Sequence, residues 1–135
     1  MIRSSMYWKA LPMSIKAILY IYIICFLAGS IKHLGDIVQG GMFPYKGIPF
    51  LFNLFLTSLT LFDLAVIVLL VMVPFYGVIL ANLIMVSDLL VDFYVGYSYW
   101  NTSLSTNKSL QLLVAFGLFV FTSGPLIIIW LKKNT

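Results

Sequence analysis

Four long apolar runs, separated by short polar or glycine-rich segments, make up most of the chain. The first opens near Pro12, is uncharged from residue 17 to 31, and then meets Lys32, His33 and Asp36 at helical spacing. This predicts a helix over 12–38, preceded by a basic lead whose Tyr7 and Trp8 suit a membrane interface. Residues 39–47 carry Gly40, Gly41, Pro44 and Gly47, which mark a loop. A second helix is predicted over 48–73 and a third over 76–95, hinged at residues 73–77. A Ser/Thr/Asn-rich segment then leads to a fourth, over 109–131, closed by Lys132 and Lys133. A helix needs about 20 apolar residues to cross a ~30 Å hydrocarbon layer, and each run is that long. The pattern therefore predicts an all-α fold: a polytopic membrane protein with four transmembrane helices in an antiparallel bundle, one integral membrane domain over 1–135.

Polar residues inside such runs are costly unless they turn away from lipid. On the second helix Asn53, Thr57 and Thr60 fall on one stripe, which Asp63 extends. On the third, Met85, Asp88 and Asp92 share a face, with Asn82 nearer the hinge. Counted from Phe75, Asp63 is twelve residues back and Asp88 thirteen forward. In antiparallel helices that puts both acids at one depth, ~18–20 Å from the hinge. Turning both stripes inward gives a polar pocket floored by Asp63 and Asp88, with Asp92 one turn closer to the surface. His33 and Asp36 would cap it from the first helix. The candidate ligand-binding residues are thus Asp63, Asp88, Asp92, Thr60, Asn53, Asn82, His33 and Asp36.

Two such acids in low dielectric do not both keep their charge. They are expected to share a proton and titrate as a unit, which suits a cation, an amine or a proton relay. The competing reading is mechanical. Neutral aspartic acids would hydrogen-bond the helices together at about 1 kcal/mol each, with Thr60 and Asn82 as partners. The sequence leaves both open.

Composition narrows the classes. The chain is 62% hydrophobic and only 9% charged, against about a quarter charged in soluble domains. Its net charge of +4 comes from basic residues scattered at the run ends, where they meet headgroups; the partner implied is a lipid bilayer, not nucleic acid. If both termini are cytoplasmic, that side holds Arg3, Lys9, Lys16, Lys132 and Lys133 against Lys32, Lys46 and Lys108 outside. Five against three follows the positive-inside rule. The single Cys25 cannot form an internal disulfide, and one His, one Cys and scattered acids do not make a metal set. No phosphate loop or nucleophile motif occurs either, so no metal or cofactor is expected. A basic start, an eleven-residue apolar core and Ala28-Gly29-Ser30 also fit a cleavable signal peptide. Tyr20, Tyr22 and the continuing helical period favour a retained span. Asn101-Thr102-Ser103 reads formally as a glycosylation triplet.

Leu59-Thr60-Leu61-Phe62-Asp63, followed by Ile84-Met85-Val86-Ser87-Asp88 and preceded by His33-Leu34 and Gly40-Gly41, resembles small four-helix inner-membrane proteins of bacteria. The resemblance covers most of the chain. It implies a bacterial inner-membrane protein and supplies no catalytic residues. In topology alone the chain is also similar to the emopamil-binding sterol isomerases, a likeness that transfers no function. Three classes follow. The first is small-molecule or cation binding, or a transport-related role, through the Asp pair. The second is a membrane interaction protein, an accessory subunit or a toxin-immunity protein, with a membrane-protein partner or a second copy of itself. The third is an intramembrane enzyme acting on lipid, for which His33 and the acids make only an outline acid–base case.

Overall fold

The computed structural model describes residues 2–134, with side chains from Met6 onward. Met1, Thr135 and the Arg3 side chain lie outside that set. Five helices follow in order: α1 (Ile2–Ala10), α2 (Met13–Gly40), α3 (Phe50–Met72), α4 (Pro74–Ser98) and α5 (Lys108–Asn134). The last four are long and apolar enough to cross a membrane. They form an all-α, antiparallel transmembrane bundle in which each helix packs on the next, and α5 returns more sparingly to α2. Large apolar side chains such as Leu51, Leu61, Leu112 and Leu126 point outward, a surface suited to lipid rather than water.

A helix covers each predicted span: α4 and α5 run longer than expected at both ends, α2 is shifted by one to two residues, and α3 is shorter at both ends. The chief correction concerns the hinge. Pro74 occupies the start of α4, where its missing N–H costs nothing, and it drives the preceding residue out of helical conformation. Val73 accordingly takes φ −141° and ψ 81° and is the only residue between α3 and α4. The turn is therefore centred on Val73, not Phe75. Asp63 lies ten residues before it and Asp88 fifteen after it, a difference of ~7 Å in rise. The acids do not share a depth; they are staggered, with Asp88 nearer the loops. Close by, Gly77 lies against the α3 backbone: a Cβ there would stand 2.5 Å from Leu70 N.

The lead segment is a second correction. The sequence marked it only as a basic lead and assigned it no helix; it folds as α1 and packs on α3. The Trp8 indole N–H donates to the Val71 carbonyl at 2.9 Å, and its ring sits 5.2 Å from that of Tyr20. Leu11 is buried where the chain turns into α2.

At the hinge end the core is apolar: Leu19, Val66, Leu70, Val78 and Leu131 are fully or almost fully buried. Its buried tyrosine is satisfied within the bundle. Tyr22 of α2 bonds Ser123 Oγ at 2.6 Å and donates to Val120 O at 3.2 Å on α5. Polar side chains accumulate instead toward the opposite end, where residues 41–49 and 99–107 connect the helices.

Candidate functional site

Three glycines decide where the polar side chains go. Gly29 of α2 leaves room for the Asp63 carboxylate, since a Cβ there would come within 2.8 Å of Asp63 Oδ2. Asp63 is 6% exposed, sealed between α3 and α2. One turn nearer the loops, Ser30 donates to the Thr60 carbonyl at 3.0 Å and fixes α2 against α3. On α4, Gly117 of α5 packs on Met85 and Leu89 and brings α5 close. Gly124 likewise abuts Asn82, so Asn82 faces α5 and donates to its own helix at Val78 O, 2.9 Å. The expectation that Asn82 belongs with the acids does not hold. An α4 side chain has two neighbouring helices to choose from, and helical period alone does not say which.

The other candidates converge on the loop end. A cavity of about 80 Å³ is lined by Lys32 and His33 of α2, Tyr45 of the first loop and Leu56 of α3. Asp92 and Gly96 of α4, Trp100 and Asn107 of the second loop, and Ser109 and Leu110 of α5 complete it. Asp88 lies within electrostatic reach of Asp92, Asp63 and Lys32, and Asp92 within reach of Lys32. Asp63, Asp88 and Asp92 therefore step up the bundle from its interior toward this cavity.

None of the three is tied down. Among the described residues, no hydrogen bond or ion pair links Asp63, Asp88, Asp92 or Lys32 to another protein group. Asp88 Oδ1 and Thr60 Oγ1 are both buried without a partner. Buried polar atoms are nearly always satisfied, which sets these two apart from the other buried polar groups of the bundle. The mechanical alternative required Asp–Thr60 and Asp–Asn82 bonds, and neither is present.

A separate group closes the cavity from the first loop. Tyr45 donates its hydroxyl to Asp36 Oδ2 at 2.9 Å, and the Tyr45 hydroxyl oxygen lies 2.8 Å from His33 Nδ1. With the phenol hydrogen used on Asp36, Nδ1 must carry a hydrogen toward Tyr45, and a neutral His33 then keeps its lone pair on Nε2. Burial pushes the Tyr45 phenol well above its ordinary range, and the bond to Asp36 pushes it further. Asn53 is not a ligand group here. Its amide holds the Tyr45 backbone, accepting from Tyr45 N at 3.3 Å and donating to Tyr45 O at 2.6 Å. Thr57 donates to Met42 O at 3.0 Å, and the Trp100 indole to Lys46 O at 3.3 Å. The loop is thus fastened at four points, with Gly41 and Gly47 supplying the positive φ values of +85° and +80° that its course requires.

Sequence reasoning did not assign Lys32, Tyr45, Trp100, Asn107 or Ser109 to the site. Asn107 ahead of Lys108-Ser109 was a readable helix-start signal, and its Oδ1 does accept the Leu110 N–H at 3.2 Å. Tyr45 had none, because a loop of nine residues does not reveal where its side chains fold back. Among the described residues no group of three His, Cys, Asp or Glu is placed to hold a metal ion. Comparison with protein-family models, with curated proteins and with solved structures gives no match.

Proposed function

We propose that this multi-pass membrane protein binds a small cationic group at the loop end of its bundle. The supporting observation is that Asp63, Asp88 and Asp92 rise toward an 80 Å³ cavity without a hydrogen-bond partner from the protein. Three acids against one ammonium, Lys32, favour a cation, and unpaired intramembrane acids are commonly functional. Size limits the guest. One water needs about 10–15 Å³ of such space and drug-sized pockets run to ~300–1,000 Å³, so the cavity takes a group of a few heavy atoms.

The polar ladder stops at Asp63, and among the described residues the inward polar side chains of the hinge half below it, Tyr22, Ser123 and Asn82, are each already bonded within the bundle. One chain therefore binds rather than conducts, and a transport role would call for a second copy or a membrane partner. The bias of basic residues supports cytoplasmic termini; with that orientation the cavity opens on the outer face of the membrane, which the resemblance makes a bacterial inner membrane.

The test uses methylammonium chloride on the detergent-solubilised protein. It should raise the thermal midpoint of the wild type, and Asp88→Asn and Asp92→Asn should remove that rise while remaining folded and monodisperse. An equal rise in both variants would overturn the proposal.

A further inference from the structure

The cavity carries more than the acids. Lys32 lines it beside Asp92, exposed at the mouth and bound to no protein group. A bare cation entering there meets the Lys32 ammonium, and a bare anion meets Asp92 with Asp88 behind it. A guest that carries both charges satisfies both walls.

Depth points the same way. Lys32 ends the uncharged part of α2, and Asp92 is followed by Phe93, Tyr94 and Tyr97 on α4 and by Tyr99 just past its end. Phe52, Tyr94 and Tyr99 form one aromatic cluster, with ring centroids 5.3–6.4 Å apart. Such belts lie at headgroup level. The start of α5, capped by Asn107, also lines the mouth through Ser109, and a helix N-terminus favours negative charge.

Resting on the cation-binding reading, we infer that the occupant is a phosphoethanolamine group. Its primary ammonium enters toward Asp92 and Asp88, and its phosphate stays at the mouth with Lys32. A primary ammonium brings the N–H donors that the unpartnered carboxylates need; a trimethylated one brings none and is bulkier than a cavity of about 80 Å³ welcomes. The group can come from phosphatidylethanolamine in the surrounding bilayer or from free phosphoethanolamine in solution.

Native mass spectrometry of the full chain in detergent tests this with three short-chain lipids, dihexanoyl phosphatidylethanolamine, phosphatidylcholine and phosphatidylglycerol, and with free phosphoethanolamine. The ethanolamine lipid should be retained in preference to the other two. Asp92→Asn and Lys32→Met should each lower its affinity on the order of tenfold or more, the worth of one charge-assisted hydrogen bond. Lys132→Met, at the other end of the bundle, should leave it unchanged. Lys32 is exposed, so its variant carries the test if Asp92→Asn does not fold. Competition by free phosphoethanolamine at similar concentration assigns a soluble source, and none assigns the bilayer; either supports the inference. Equal retention of all three lipids, or retention indifferent to both variants, overturns it. Methylammonium stabilisation that persists beside such a result leaves the cation site standing and removes only the headgroup.

Discussion

The hinge half and the loop half of this bundle are made from the same four helices under opposite rules. Around the hinge, Leu19, Val66, Leu70, Val78 and Leu131 fill the interior, and the one hydroxyl pair, Tyr22 with Ser123, satisfies itself. Around the loops, Ser30, His33, Asn53, Thr57 and Thr60 are buried, three acids go unpaired, and a cavity opens. Lipid tolerates unsatisfied polar groups only where they line an aqueous space. The difference therefore separates work: the hinge half holds the helices together, and the loop half carries the cavity on which the proposed binding rests.

The largest expected effect comes from putting the same chemistry in both halves of one helix. Val66 and Asp63 sit less than one turn apart on α3, Val66 without exposure and Asp63 at 6%. Val66→Asp places an acid where no cavity or donor exists, and should cost on the order of 3 kcal/mol. Asp63→Asn keeps the shape and removes a charge that no protein group pairs, so stability should change by less than about 1 kcal/mol. Denaturant titrations in a common detergent check this. Equal losses in the two variants would erase the distinction between the halves.

Glycine substitutions sharpen it at smaller amplitude. A Cβ at Gly77 would meet backbone atoms of Leu69 and Leu70 at 2.5–2.8 Å, which cannot yield without separating α3 from α4. Gly77→Ala should cost up to about 3 kcal/mol, the upper end for overpacking. A Cβ at Gly29 would meet only the end of the Asp63 side chain, which can swing aside. Gly29→Ala should lose under about 1 kcal/mol of stability yet weaken methylammonium binding, because it displaces an acid of the ladder. Thermal midpoints with and without methylammonium separate the two effects.

The sequence made the four spans legible because lipid demands long apolar runs, and the few polar residues in α2 to α5 leave each run apolar enough to span. It placed Asp63, Asp88, Asp92 and His33 toward one interior, since burying polar stripes is the cheapest arrangement. It misjudged the hinge by two residues, for Pro74 looks like the middle of a turn but suits the first position of a helix. The depth of Asp88 followed that error. It also missed α1, whose helix depends on Trp8 and Leu11 packing at the hinge end, a tertiary contact with no local signal. The meeting of Lys32 and Asp92 at one cavity was hidden for a related reason: they are sixty residues apart, and only packing brings both to its lining.

The most local effect tests whether the loop half owes its shape to the latch above the cavity. Tyr45→Phe deletes the hydroxyl that joins Asp36 to His33 while Asn53 still grips the backbone. The loss should be about 1–2 kcal/mol, felt in the first loop rather than the hinge. Amide exchange should quicken over residues 41–47 and stay unchanged in α3 near Val71. The alkaline limb gives an independent reading. Burial and Asp36 hold the phenol proton above its ordinary value, so above about pH 10 the unfolded chain releases a proton that the native loop retains. The unfolded state then binds fewer protons, and stability falls as pH rises. That fall should be shallower in Tyr45→Phe, which has no proton to release, when unfolding midpoints are followed from about pH 9 to about pH 11. Identical slopes would mean that Tyr45 does not hold its proton through these bonds, and that the loop half is closed by Asn53, Thr57 and Trp100 alone.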